Sequence, residues 1–351
     1  MTTASKEIRL IAPRWFAIAS LSLSALFLLP NLHASTLTYE SHSEAAQAHL
    51  TLLRLGSAIV LMDDASGRTV ASAPAAATTG VVVRGASGAH NDTLTVDLSA
   101  GLRLPGGIDY DGGAGGWDTL VLRGDGGEAQ RVRQLSSSAG IIDAGGVTIR
   151  YDNLEPLTDI AVATNYLFTA TSGGEEINVV DGPVVSGTQT TEINSGASGT
   201  FELTDIANKQ NVTINTGGGT DIVTVNNPNP GAGMATLTVN GDTAAERFNV
   251  TPSATIPYTV NGGAPLPPGT GDILVVELGG TTGQALSVAS DANGLQGAFT
   301  FSNRQSVTFT QIETINPTDL VISKIGPDTI NAGADVGYTI TIQNLGANDA
   351  A

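Results

Sequence analysis

The chain has no cysteine, few aromatic residues and few basic ones. Without cysteine there can be no disulfide staple, no thiolate metal site and no thiol nucleophile, so stability must come from an extended core, from repetition or from bound ions. Lys and Arg number 15 against 33 Asp and Glu, a net charge of −18, which opposes binding to nucleic acid phosphates or anionic membranes. Catalytic signatures are missing too: there is no Gly-x-Ser-x-Gly elbow and no Gly-Lys-Ser/Thr phosphate loop. His42, His49 and His90 lie in one stretch without metal-ligand spacing. Long helical patterns are scarce. Beyond the N-terminus the one helical candidate is Ser43–Leu53, whose tail reads equally well as a strand.

What is present begins with an export signal. Lys6, Arg9 and Arg14 give a charged start, Trp15 to Leu29 an apolar run, and Pro30 a break before Leu32-His33-Ala34. These are the three parts of a signal peptide, expected over residues 1–34. The apolar run falls short of the roughly 20 residues needed to span a bilayer, so cleavage is expected, leaving no membrane span. Removing three basic and one acidic residue leaves 12 Lys and Arg against 32 Asp and Glu, a net charge of −20. A secreted or cell-surface protein follows.

Thr, Val, Ile, Asn, Gly and Asp dominate the remainder, and 43 glycines favour short strands with tight turns. A unit recurs in which glycines precede an acid and then alternating apolar positions. It is seen in Asn91–Val96, Trp117–Leu122, Thr220–Val225 and Gly271–Val276, and less fully at Glu176–Val179 and Glu246–Val250. Asp92 to Asp118 and Glu246 to Asp272 are each 26 positions, a spacing that suits one turn of a β-solenoid or a hairpin pair in a stacked sheet. Within a unit, Leu94 and Val96 should face inward and Thr93, Thr95 and Asp97 outward. Asp63–Gly67 reads as a hairpin turn between Ala58–Met62 and Arg68–Ala73, and Pro265–Pro268 as a loop. A longer duplication overlies the short repeat. Ile108-Asp109-Tyr110 is echoed by Ile256-Pro257-Tyr258, and Val147-Thr148-Ile149 with Leu154-Glu155 by Val307-Thr308-Phe309 with Ile312-Glu313.

The acids after the glycines admit two readings. Gly-Gly-x-Gly-x-Asp patterns bind calcium when in tandem, and Thr216–Val223 fits nearly, which makes Asp118, Asp221 and Asp272 candidate calcium ligands. The copies lie about 25 residues apart, however, so consecutive turns do not share an ion as tandem repeats do. The second reading is that the glycines make the turns and the acids accept hydrogen bonds from nearby backbone amides. Neither reading calls for a catalytic residue, and no cofactor other than calcium is suggested.

From Asp319 the texture changes. Asp319-Leu320-Val321-Ile322-Ser323-Lys324 and Tyr338-Thr339-Ile340-Thr341-Ile342-Gln343-Asn344 resemble the opening strands of a conserved immunoglobulin-like repeat domain of bacterial surface proteins, a domain of unknown function. The resemblance covers about residues 318–351 and implies an incomplete sandwich. The Asp-Thr-Leu-Thr-Val and Gly-Gly-Ala-Gly texture is similar to repeats of giant secreted bacterial proteins, which implies an adhesin-like role.

The expected fold is all-β, a repetitive β-solenoid or stacked β-sheet array followed by a truncated immunoglobulin-like β-sandwich. After the signal peptide the expected segments are an N-terminal β segment (35–79), a first repeat module (80–160), a connecting region (161–240), a second module (241–318) and the incomplete domain (319–351). The expected role is a non-enzymatic structural or adhesin-like surface protein, whose partner would be a surface polysaccharide or another cell-surface protein. A calcium-binding secreted repeat protein and a polysaccharide-active solenoid enzyme are the alternatives.

Overall fold

The computed structural model describes residues 34–41, 47–264, 271–315, 320–325 and 339–344. The expected signal peptide, the Pro265–Pro268 loop and most of the incomplete domain lie outside the described residues.

The chain winds back and forth between two sheets of 13 strands each. Thr78–Arg84 lies in the first sheet, Thr93–Asp97 in the second, Gly107–Asp111 in the first again and Thr119–Arg123 in the second. Successive visits to a sheet pair in parallel, so Thr93–Asp97 lies beside Thr119–Arg123 with Leu94 opposite Leu120 and Val96 opposite Leu122. This is a β-solenoid, and the 26-residue spacing of Asp92 and Asp118 is one of its turns. A strand of alternating apolar and polar residues can bury only one face, and stacking such strands in register aligns their buried faces in continuous columns. Ile177, Val223, Phe248, Leu274 and Ile315 make one column of the second sheet, and Phe168, Ile214, Val239, Val260 and Phe309 one of the first. All of these residues are buried in one hydrophobic core. Each fully buried Val, Leu, Ile or Phe contributes about 1.5–3 kcal/mol, which lets a cysteine-free chain fold without staples.

The winding is interrupted twice by matching insertions. In the first sheet, Ala129–Gln134, Gly140–Ala144 and Val147–Asp152 form an antiparallel meander. Its last strand, rather than its first, pairs with Gly107–Asp111. In the second sheet, Glu176–Val185, Thr188–Asn194 and Thr204–Ile206 do the same, and Thr204–Ile206 takes the place beside Leu157–Asp159. Each insertion adds two strands beyond the one a turn requires, so the two sheets stay in step. Further meanders end the sheets. His49–Leu55, Ala58–Asp63 and Arg68–Pro74 close one end of the second sheet, and Ala285–Asp291, Gly294–Thr300 and Val307–Ile312 close the opposite end of the first.

Several expectations are refined by this arrangement. His49–Leu55 is a strand, so the helical reading of Ser43–Leu53 fails over its described tail, where pairing with Ala58–Asp63 buries Leu50 and Leu52. The hairpin at Asp63–Gly67 forms as expected. Leu94 and Val96 point inward, but Thr95 is buried as well, at 8% exposure. The sheets also run without interruption through the expected boundaries at 80, 161 and 241. Leu320–Ile325 and Thr339–Asn344 pair antiparallel in a separate two-stranded sheet.

Candidate functional site

At the corner where the chain passes from the first sheet to the second, an acid stands in every passage from Asp92 onward. Asp92, Asp118, Glu175, Asp221, Glu246, Asp272 and Glu313 immediately precede second-sheet strands, and Glu155 stands two positions before its strand; Glu202 stands two positions before Thr204–Ile206, on a connection within the second sheet. Because the strands are in parallel register, these acids stack in a column, and the backbone N–H of one acid faces the carboxylate of the next turn. Asp118 Oδ1 accepts from the Asp92 N–H at 2.7 Å, Asp221 Oδ1 from Glu175 at 2.7 Å, Asp272 Oδ1 from Glu246 at 2.8 Å and Glu313 Oε2 from Asp272 at 2.6 Å. The three sequence candidates, Asp118, Asp221 and Asp272, therefore share one corner. Each bonds an amide of an adjacent coil, rather than its own turn. The glycines make the close stacking possible: a Cβ on Gly112 would lie 2.2 Å from the Asn153 carbonyl, and one on Gly262 would lie 1.9 Å from that of Gln311.

Among the described residues no member of this column makes a salt bridge, and Asp92, Asp118, Asp221 and Asp272 are all at or below 2% exposure. Burial shifts several of the column's carboxylates. It pushes Asp118, Asp221 and Asp272 each up to about 6 and Glu175 to about 7, where the neighbouring Asp221 adds to the effect. Glu246 rises to about 9, through burial and then through the Asp272 and Asp242 carboxylates beside it.

The column is not uniform. Asp92 is fully engaged, with Oδ1 accepting from Ala48 at 2.6 Å and Oδ2 from Ala86 at 2.7 Å. Further along, Glu175 Oε2, Asp221 Oδ2, Glu246 Oε1, Asp272 Oδ2 and Glu313 Oε1 are buried without a hydrogen-bond partner. The longer Glu246 side chain places Oε2 on the Asp242 N–H at 3.4 Å. This draws Asp221, Asp242 and Glu246 into one cluster whose carboxylate oxygens lie within 4.8 Å of one another. Asp242 and Thr216 were not legible as site residues, since neither stands at the repeating acid position. Beside the column, Asn215, Asn240 and Asn261 form an amide ladder with bonds of 2.9 and 2.6 Å.

The opposite corner holds a different buried arrangement. Asp159 occupies a core-facing slot in register with Leu122 and Ile206. Its carboxylate meets Lys209 Nζ at 2.7 Å, and both side chains are wholly buried. Lys209 also donates to Gln130 Oε1 at 2.8 Å and to the Ala161 carbonyl, while Gln130 Nε2 donates to Asp159 Oδ2. Burial pushes Asp159 up and Lys209 down, and each charge opposes the other's shift.

On the outer face of the first sheet a groove of about 330 Å³ is lined by Arg84, Asp109, Asp111 and Arg150 among others. Its charges pair off, Arg84 with Asp111 at 3.2 Å and Arg150 with Asp109 at 3.6 Å. No protein-family model, curated protein or solved structure matches the chain.

Proposed function

We propose that the chain is a non-enzymatic structural element of an exported, adhesin-like bacterial surface protein, in which the stacked turns serve as a spacer. The observation that carries this reading is that the repeated acids are spent on the fold: they stack at a buried corner and hold the amides of adjacent coils. A glycosidase needs two carboxyl groups facing a substrate cleft. The groove acids Asp109 and Asp111 are instead engaged by Arg150 and Arg84. The exposed faces mix polar side chains with apolar ones such as Val184, Ile222 and Val288, and a surface polysaccharide or another surface protein is the partner class this reading takes. Export rests on the N-terminal charged and apolar segments.

The test has two readouts. Antibody labelling of intact cells producing the full-length protein should detect this region outside the cell, and incubation of the purified chain with a panel of bacterial polysaccharides should release no sugar. Absence of label from intact cells would remove the surface assignment. Sugar release that disappears in Asp109→Asn would replace the structural reading with an enzymatic one.

A further inference from the structure

We propose that the open edge of Ala285–Asp291 is a self-association surface, on which the same strand of a second copy of this chain pairs antiparallel about a two-fold axis at Val288. Ala285–Asp291 is the last strand of the first sheet among the described residues, and most of it is exposed.

The place beside this strand is one that the fold fills elsewhere. In the first meander the corresponding strand, Ala129–Gln134, is covered by Ala163–Thr169, which follows Leu157–Asp159. In the second, the strand that follows Thr314–Ile315 is Leu320–Ile325, and it pairs with Thr339–Asn344 instead. The strand due at this edge is thus engaged elsewhere.

The backbone supplies the pairing groups. Asp291 and Gly294 close a two-residue turn onto Gly294–Thr300, and the Ser287 carbonyl points at that strand, since a Cβ on Gly297 would lie 1.9 Å from it. In an antiparallel ladder the N–H and C=O of one residue point the same way and alternate from residue to residue. Those of Leu286, Val288 and Ser290 therefore face the free side. To bond all three, a second copy must set Leu286 opposite Ser290 and Val288 opposite Val288, which is a two-fold register and makes an isologous contact.

Side chains fit the same register. Asp291, the strand's one charged residue, stands opposite Ala285, which keeps the two Asp291 carboxylates roughly 20 Å apart. Val288, half-exposed, shares the core-side face with Leu286, which packs against the core, and pairing covers it with its counterpart. A chain of net charge −18 repels its copies over most of its surface, so a neutral edge is where two can approach.

The remaining sheet ends are guarded in the ways that keep edges from pairing. Arg68–Pro74 carries an arginine, a proline and a bulged register, and Thr314–Ile315 is two residues long. Ser35–Glu40 has a register irregularity and lies near Arg68–Pro74. Ala285–Asp291 runs seven residues in unbroken register with no proline and no basic residue.

Sedimentation of the purified chain over a range of concentrations tests the proposal. A dimer that dissociates on dilution is expected, since one strand pair makes a small interface. Val288→Lys places two ammonium groups face to face and should weaken the dimer roughly tenfold or more. Val288→Pro removes the central N–H and should leave a monomer. Both should keep the circular dichroism of β-sheet, and should the proline variant fail to fold, the lysine variant decides. The chain has no cysteine, so single introduced cysteines report the register. Oxidised Val288→Cys should yield a disulfide-linked dimer, because residues paired through hydrogen bonds stand about 5.5 Å apart at Cα. Ser290→Cys, opposite Leu286, should not. A monomer at every concentration, an open-ended series of larger species, or a dimer indifferent to both Val288→Lys and Val288→Pro would overturn the proposal. So would Ser290→Cys linking as readily as Val288→Cys.

Discussion

The two antiparallel meanders of the first sheet occupy equivalent places in the duplicated sequence yet lead different structural lives. In the first, Ala129–Gln134 is covered by the parallel strand Ala163–Thr169 and becomes an interior strand. Its Gln130 and Gln134 are nearly wholly buried. Gln130 joins Lys209 and Asp159, while Gln134 accepts from Tyr151 Oη at 2.8 Å and donates to Thr204 Oγ1 at 3.2 Å. In the second, the corresponding strand Ala285–Asp291 is the last of its sheet among the described residues. It is largely exposed, with Val288 at 50%. The same strand plan therefore serves as an interior block or as an end, and the difference lies in a few polar core residues. An interior meander must have its buried polar groups met by neighbouring turns, whereas an end can leave its own to water.

The comparison can be broken most sharply at Lys209. Lys209→Met strips Asp159 of its buried counter-charge and should cost about 3–5 kcal/mol in denaturant unfolding. Replacing Lys209, Asp159 and Gln130 together by apolar residues should recover most of that loss. A single-variant cost below about 1 kcal/mol would show that the cluster does not hold the first meander. Tyr151→Phe should be milder, at about 1 kcal/mol, because it deletes one hydroxyl donor to Gln134 and leaves the ring in place. Unchanged stability would mean that water supplies that bond.

The smallest effect is a slope against pH. Asp205 lies on Thr204–Ile206, directly opposite Glu192 on the neighbouring strand. Burial, then the Glu192 charge, raises it to about 7, and burial, then Glu155, raises Glu202 to about 8. The folded state therefore binds protons that the unfolded chain releases near pH 4. The stability from these groups is full below that pH and is lost as the pH rises through 7 and 8. Melting temperature should fall from pH 5 to pH 8, and Asp205→Asn should make the fall shallower. An identical slope in the variant would exclude Asp205 as a source.

Much of this was legible in the sequence because repetition and alternation are local signals. The 26-residue spacing from Asp92 to Asp118 became a hydrogen-bonded step between turns, and the same holds for Glu246 and Asp272. The repeating acid also marks the corner at which Asp118, Asp221 and Asp272 stack. The cluster at that corner was less legible, since Asp242 joins through the reach of Glu246 rather than through the repeat. Lys209 and Asp159 stand 50 positions apart and meet only because the insertions bring their strands together, so no local pattern linked them. The one hint was Asp159 itself, an acid standing where the alternation calls for an apolar residue.

The reversed meanders also dictate an order of assembly. In an uninterrupted solenoid each turn can settle on the one before it as the chain emerges, like thread onto a spool. Here the place beside Gly107–Asp111 belongs to Val147–Asp152, so Ala129–Gln134, although it arrives first, pairs with the next strand, Gly140–Ala144, and joins the earlier turns only through Val147–Asp152, after the chain has doubled back twice. Glu176–Val185 waits likewise for Thr204–Ile206. Between residues 129 and 215, the pairings of Gly107–Asp111 with Val147–Asp152 and of Leu157–Asp159 with Thr204–Ile206 can therefore form only once each insertion is complete.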